Sequence, residues 1–394
     1  MQQPESASDV IVVGGGIAGL LTALRLAEQG LSVVCLDEHD FAGGSTAAMH
    51  GMVHSGAMYV ERHPEIVRHC REAYACFAAL FATAFVPTRQ TVYAVRADRQ
   101  QEFATLFRRH GLDYQAVAGA DVPELRPEFA RTVAAFEIPE RVVSPPRILA
   151  QLTAECIARG VTLAPYTHVA EILTVQDRVT GVKLGRDQVL TATNVVLCAG
   201  IGTRELLGHL GSSYRSKLHS RASVMVRARS TLQRGLAVLD EPGPVIMPDA
   251  NGDGLISAYG GDQPSVGTSY NGHVDLAQLN IVKDRCADVL QPGTVEIGDG
   301  VGYMGVKTDY TGSKLTEKNT INPDFKVIDH GADEIGGLYT VVPGKGTLAF
   351  HASRSVTQMI AQQEVELVVR PRIRSSRTID LRDQADLTAL PSGG

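Results

Sequence analysis

The feature that most constrains this chain is a glycine-rich turn close to its N-terminus. The apolar run Val10–Val13 predicts a strand, and the turn Gly14-Gly15-Gly16-Ile17-Ala18-Gly19 follows it directly. Hydrophobic periodicity predicts a helix from Ile17 to Gln29, and Val33–Leu36 predicts a second strand. A strand, a helix and a second strand within roughly 30 residues make up the unit that binds a dinucleotide.

Each glycine of this motif has its own predicted role. Gly14 permits the tight turn, Gly16 lets the backbone approach a pyrophosphate at the helix N-terminus, and Gly19 lets the helix pack closely on the strand. The residues predicted to bind the phosphates are Gly14, Gly16, Ile17, Ala18 and Gly19.

An acid follows the second predicted strand, where dinucleotide-binding units bind the ribose hydroxyls. Asp37, with Glu38 beside it, is placed to bind those hydroxyls, and an acid there disfavours a 2′-phosphate. NAD and FAD share the motif, but two later segments favour FAD. One is the strand Val195–Leu197, which runs on to Ala199 and Gly200. The other is the turn Gly344-Lys345-Gly346, which opens a helix whose N-terminus can face the charge of a reduced flavin.

Composition limits the other functions. Lys and Arg number 37 against 43 Asp and Glu, and this acidic excess argues against binding of nucleic acid. No apolar run is long enough to span a bilayer, and residues 1–8 lack an apolar signal core. We therefore expect a cytoplasmic protein with at most a peripheral membrane contact. The six cysteines lack zinc-site spacing, which predicts reduced thiols and no metal.

Three segments together resemble a known family. They are His39–Thr46, the stretch His50-Gly-Met-Val-His54-Ser-Gly-Ala-x-Tyr59, and Tyr303-x-Gly-Val. With the N-terminal unit and the Gly-Lys turn, they resemble the FAD-dependent oxidoreductases of the D-amino-acid oxidase superfamily. Within it, the likeness is greatest to the catalytic subunit of anaerobic glycerol-3-phosphate dehydrogenase, then to the L-2-hydroxyglutarate oxidases.

The resemblance implies an α/β fold, in which a Rossmann-like FAD-binding domain is interleaved with an antiparallel-sheet (α+β) substrate domain and the flavin ring lies between them. We expect residues 1–48, 140–215 and 325–370 in the FAD-binding domain. The substrate domain would take residues 49–139 and 216–324, and residues 371–394 would form a flexible tail.

The resemblance also implies roles for single residues. Ser45 and Thr46 would lie along the pyrophosphate and ribityl chain, Val169 would hold the adenine through its backbone, and His50 and His54 would lie beside the flavin ring. The other positions expected to contact FAD are Gly51, Ala199, Gly200, Gly344, Lys345, Gly346, Thr347 and Leu348. His351 is a further candidate near the ring.

Two departures from the family pattern concern the substrate. The dehydrogenases carry Arg where this chain has Met58, and Arg-Pro where it has Lys307-Thr308. A guanidinium binds a phosphate or carboxylate bidentately, whereas Lys is a point charge and Met has none. These departures weaken the case for glycerol 3-phosphate. The sequence also ends without the family's Cys-rich extension, so we expect no bound iron–sulfur relay.

Oxidation of an alcohol needs a hydride acceptor, which is the flavin, and a base within reach of the hydroxyl. His54 is the first candidate for the base and His50 the second, because imidazole titrates near neutral pH. Lys307 either binds an anionic group of the substrate or lies on the surface. Tyr259 and Tyr270 are predicted in the substrate sheet, together with Arg221.

We therefore predict an FAD-dependent dehydrogenase or oxidase that acts on the CH–OH group of a small polar substrate. That substrate would be a polyol, a sugar derivative, a 2-hydroxy acid or a phosphorylated polyol. Oxygen, a quinone or a redox partner would accept the electrons. An amine or amino-acid oxidase that acts on CH–NH is the alternative, and a flavin-binding protein without turnover is the third hypothesis.

Overall fold

Two β-sheets organise the part of the chain that the structure describes. The computed structural model describes residues 8–41, 43–185, 188–240, 243–259, 272–274, 276–311 and 324–361. The strands are β1 (Ser8–Val13), β2 (Val33–Leu36), β3 (Thr91–Arg96), β4 (Gln115–Ala118), β5 (Val133–Ile138), β6 (Thr162–Ala164), β7 (Val169–Val175), β8 (Arg178–Leu184), β9 (Gln188–Leu197), β10 (Leu218–Ser230), β11 (Leu236–Val238), β12 (Gly243–Pro248), β13 (Asp253–Tyr259), β14 (Val295–Tyr310), β15 (Lys326–Asp329) and β16 (Leu338–Val342).

Helices cover the sheets and connect their strands. They are α1 (Ile17–Glu28), α2 (Val67–Leu80), α3 (Gln100–Arg109), α4 (Pro127–Ala130), α5 (Pro145–Ala158), α6 (Thr203–His209), α7 (Leu276–Val289) and α8 (Ala349–Ala361). The predicted order of strand, helix and strand at the N-terminus is confirmed. Within the described part of the chain, no helix combines the length and the apolar character needed to cross a membrane.

The first sheet has the topology of a nucleotide-binding domain. Its strands run in the order β15-β16-β9-β1-β2-β6, with β8 pairing alongside β9 and β7 alongside β8. β1 pairs in parallel with β2 on one side and with β9 on the other. β1 thus lies at the point where the order of the parallel strands reverses. At such a point a crevice opens at the carboxyl ends of the strands, and folds of this kind bind their ligands there.

The second sheet is largely antiparallel, in the order β14-β10-β13-β12-β11-β3-β5-β4. An apolar core lies on each face of this sheet, and alternate residues of β3 pack into one core or the other, because successive side chains of a strand point to opposite faces. Tyr93 and Val95 pack on the side of α3, while Val92 and Ala94 pack on the side of α7. The first sheet takes its strands from both ends and the middle of the chain, so the two sheets are interleaved in sequence. The predicted fold class is confirmed.

One glycine has a structural role inside a strand. Gly181 lies within β8 at a φ of +148°. A Cβ there would stand 2.0 Å from the carbonyl oxygen of Leu190 in β9. The glycine is therefore explained by the close approach of a neighbouring strand.

Candidate active site

The glycine turn lies where β1, α1 and β9 come closest together. Gly14 has a φ of +104°, and a Cβ on it would stand 2.4 Å from the carbonyl oxygen of Cys198, just after β9. A Cβ on Gly19 would stand 1.8 Å from the carbonyl oxygen of Gly14. These positions exclude a side chain. They let the backbone form a concave cradle at the N-terminus of α1, the positive end of the helix dipole.

The loop after β2 closes this cradle. Thr46 is buried, and its hydroxyl accepts a hydrogen bond of 3.0 Å from the backbone N–H of Ile17. The Ser45 hydroxyl donates to the carbonyl of Val306 in β14. The loop therefore ties the first helix of the nucleotide unit to a strand of the second sheet.

Asp37 is oriented by the same turn. Its carboxylate accepts hydrogen bonds from the backbone N–H of Gly15 at 2.6 Å and of His39 at 2.9 Å. Burial raises the pKa of Asp37, while these two amides oppose the shift. Glu38 is exposed instead, and its carboxylate lies 3.3 Å from His168 Nδ1. The geometry favours Asp37 over Glu38 for the ribose, and that contact stays a prediction.

These features fit FAD. A cradle that a Cβ would fill lies at the N-terminus of a helix, at the switch point of a parallel sheet, with an anchored acid at the end of the second strand. The residues that would hold the cofactor are those of the Gly14–Gly19 turn, Asp37, Ser45 and Thr46.

His54 is buried beside the Gly-Lys turn. The side chain is 4% exposed, and its backbone N–H donates to the hydroxyl of Thr347 at 3.2 Å. The ring lies 5.0 Å from the Tyr59 ring, centroid to centroid. Its Nδ1 is buried and has no hydrogen-bond partner within the described residues.

Burial keeps both candidate bases neutral at physiological pH. It lowers the pKa of His54 to about 3, with smaller contributions from Lys345 and His50. It lowers the pKa of His50 to about 4, with the positive charges of Lys307 and Lys345 adding to the effect. A neutral imidazole has a nitrogen that can accept a proton, but a pKa this far below neutral makes it a weaker base than free imidazole.

Basic side chains outnumber acids beside these histidines. Arg221 in β10 lies directly opposite Lys307 in β14. Arg221 Nε donates to Asp309 at 2.8 Å, and Lys307 Nζ lies 3.5 Å from the other carboxylate oxygen. Lys345 Nζ lies 4.9 Å from the centre of the Tyr59 ring and within hydrogen-bonding reach of Lys307.

The cluster formed by Arg221, Lys307, Lys345 and Asp309 therefore holds three basic groups and one acid. Asp309 is 1% exposed, whereas the Lys307 side chain is 31% exposed and open to a ligand. Burial lowers the pKa of both lysines. An anion among them would favour their charged forms, because an opposite charge within about 4–6 Å does so.

The structure thus brings together four of the predicted site residues: His50, His54, Lys307 and Lys345. Gly51 has a φ of +68° and packs against the backbone of Val143, which is a structural reason for this glycine. Gly200 also has a positive φ, and a Cβ on it would lie 4.0 Å from the Ser45 hydroxyl.

Several predicted residues pack against other parts of the protein. Met58 packs in the apolar core on the α3 side of the second sheet and is 8% exposed. Val169 is buried in β7, and Leu348 packs with Ile66 and Cys70. His351 stacks on Phe325, and its Nε2 bonds the carbonyl of His69. No structural feature tests the predicted ligand contacts of these residues.

The two tyrosines predicted to contact the substrate lie wholly or partly outside the described residues. Tyr259 ends β13, and its side chain is outside the described part of the structure, as is the whole of Tyr270.

Tyr59, Asp309 and Glu140 had no role predicted from the sequence. Asp309 follows Lys307 by two residues on a strand, so both side chains lie on one face, and that spacing was a usable signal. Glu140 carried no such signal, because its partners Ser55 and Tyr93 are 85 and 47 residues away in the chain.

Comparisons with known proteins agree with this architecture. Residues 9–330 match the family model described as DAO, FAD dependent oxidoreductase. One chain of the anaerobic glycerol-3-phosphate dehydrogenase from Escherichia coli (strain K12) is 28% identical over 203 residues, which are 49% of this chain and 38% of that protein. Glycine oxidase from Pseudomonas putida is 32% identical over 215 residues, 51% of this chain and 58% of that protein. The matches thus span less than two thirds of these relatives.

Solved structures show the same fold over nearly the whole chain. Glycine oxidase from Geobacillus kaustophilus gives a TM-score of 0.71 at 19% identity and covers 92% of this chain and 96% of its own. L-Proline dehydrogenase from P. horikoshii gives 0.74 at 16% identity, with 93% and 96% covered. Fold and site together define an FAD-dependent oxidoreductase. More specifically, the chain belongs to the DAO family.

Proposed function

We propose that this protein oxidises the CH–OH group of a small substrate that also carries a carboxylate or phosphate, such as a 2-hydroxy acid or a phosphorylated polyol. The observation that carries this proposal is the surplus of basic groups at Lys307, Lys345 and Arg221 beside the neutral ring of His54. Bound FAD supplies the acceptor for the hydride.

The anionic group would bind between Lys307 and Arg221. Arg221 meets Asp309 through Nε, so its two terminal nitrogens are the ones that can take a carboxylate or phosphate bidentately. Lys307 adds a point charge from the opposite strand. Asp309 contacts both basic side chains, and a bound anion would favour their charged forms.

His54 would take the hydroxyl proton. His54 is neutral before the reaction, and the negative charge of a bound substrate would raise its pKa from the low value that burial and Lys345 give it, which makes it a stronger base. Nδ1 of His54 is buried, and no residue in the described part of the protein forms a hydrogen bond with it. His50 is the second candidate and lies under the same positive charges.

Oxidation of an amine is the second candidate function. It is favoured by the 32% identity to a glycine oxidase and by the fold shared with a second one. The basic cluster would bind the carboxylate of an amino acid as well as that of a 2-hydroxy acid, so the two candidates differ in the group that is oxidised and not in the anionic group.

Two matched substrate pairs test the proposal. Glycolate and glycine share size and carboxylate and differ only in CH–OH against CH–NH. Glycerol 3-phosphate and glycerol differ only in the anionic group. With an artificial electron acceptor, we expect kcat/KM to be higher for glycolate than for glycine, and higher for glycerol 3-phosphate than for glycerol. Preference for glycine would establish the amine oxidase, and equal rates for the glycerol pair would refute the anion site.

A further inference from the structure

The proposed reaction makes no use of Glu140, although this residue is a completely buried acid beside the site. It follows β5 and is 1% exposed. One carboxylate oxygen accepts from the backbone N–H of Ser55 at 2.5 Å and from the Ser55 hydroxyl, and the other accepts from the Tyr93 hydroxyl. The backbone N–H of Ala57 is a further donor.

The acid itself is held rigidly. Its backbone carbonyl accepts from both the N–H and the hydroxyl of Thr91 at 3.0 Å, at the start of β3. Tyr93 is fully buried in the middle of the same strand. Glu140 is therefore part of the rigid second sheet, and its carboxylate projects from that sheet to the turn Ser55-Gly56-Ala57.

That turn has little freedom of its own. Gly56 has a φ of +98°, and a Cβ there would stand 2.9 Å from the Cα of Val67 in α2. Its neighbour His54 is fixed on the other side through the hydroxyl of Thr347, from the Gly-Lys turn. The backbone around His54 is therefore held at two points. Thr347 bonds it from the Gly-Lys turn, and Glu140 bonds the next residue, Ser55, from the second sheet.

We propose that Glu140 is the positioning residue that holds the Ser55–Ala57 turn and thereby sets the direction of the His54 ring. The inference rests on the proposed role of His54 as the base. Every donor to the carboxylate named above is a neutral N–H or O–H group. An amide in its place has a single acceptor oxygen, and the backbone amides of Ser55 and Ala57 cannot reverse their role.

The test variant is Glu140→Gln, which keeps the size of the side chain and removes one acceptor. A displacement of about 1 Å in a catalytic group can cost about 10²-fold in rate. We expect the rate of flavin reduction by glycolate to fall by about 10²-fold while KM changes less than about threefold. Asp333→Asn is the matched control, since Asp333 is an acid held by Ser212, Ser213 and His330, away from the site. It should lower the melting temperature and leave the rate unchanged.

A second readout does not depend on turnover. In protein labelled with ¹⁵N-histidine, the ring signals of His54 are identified by their absence in His54→Asn. They should shift in Glu140→Gln and stay in place in Asp333→Asn. If no substrate reduces the flavin, the proposed reaction fails, and these signals alone decide the role of Glu140. Unshifted signals in Glu140→Gln would overturn the inference.

A milder variant covers the case in which Glu140→Gln does not fold. Ser55→Ala removes one donor and leaves the carboxylate and the Ser55 amide in place. A shift of the His54 signals in this variant would support the inference, and unchanged signals would overturn it.

Discussion

The charge on Lys307 should determine how strongly the enzyme selects an anionic substrate. The test change is Lys307→Met, which keeps an unbranched side chain and removes the ammonium group. Lys307 lies 3.5 Å from Asp309 and is partly open to the site. A hydrogen bond to a charged group contributes about 1.5–3 kcal/mol, which corresponds to roughly 10- to 150-fold in a rate or binding ratio.

Arg221 and Lys345 remain in this variant, so the lower part of that range applies. We expect kcat/KM for glycerol 3-phosphate to fall about 10- to 30-fold and that for glycerol to change less than about threefold. The assay is steady-state turnover with an artificial electron acceptor. Lys326→Met is the control, because it removes an equal charge from an exposed position on β15. An equal loss for both substrates would refute the reasoning, since it would mean that Lys307 supports the fold or the flavin.

The remaining predictions concern the base, the cradle and pH. His54→Asn should slow oxidation of glycolate by about 10²–10⁴-fold, measured as flavin reduction in stopped flow, and a loss under tenfold would remove His54 as the base. Gly14→Ala should abolish retention of FAD on gel filtration, because its Cβ would stand 2.4 Å from the Cys198 carbonyl, whereas Gly30→Ala, also at positive φ but with open space around it, should retain it. The pKa of His54 is about 3 when folded and 6.5 ordinarily, so the unfolded chain binds more protons between these values and stability falls as pH drops below 6.5. From pH 7 to pH 5 this loss is about 2 kcal/mol in urea unfolding, and His54→Asn should remove that part of the pH dependence.

The sequence was most informative where a function depends on consecutive residues. The turn from Gly14 to Gly19 could be predicted because each glycine has a local backbone reason, and contacts of 1.8 and 2.4 Å by an added Cβ confirm the crowding at Gly19 and Gly14. His50 and His54 were selected through the resemblance to the D-amino-acid oxidase superfamily, which matches the loop that also holds Ser45 and Thr46.

Contacts between distant segments could not be predicted in the same way. Arg221 and Asp309 are 88 residues apart in the chain and meet only because β10 and β14 pair in one register. Glu140 reaches the Ser55 turn from the end of another strand. Hydrophobic periodicity does not specify which strands pair, so the contact of Arg221 with Asp309 and that of Glu140 with Ser55 became visible only in the folded chain.

The most direct test of the central claim is an anaerobic titration of the purified, FAD-reconstituted protein, followed by its visible flavin spectrum. We predict a yellow protein that glycolate or glycerol 3-phosphate bleaches to completion and that glycine and glycerol leave yellow. Bleaching by glycine alone would contradict oxidation of CH–OH. A protein that stays colourless after incubation with FAD would contradict the assignment of the cradle.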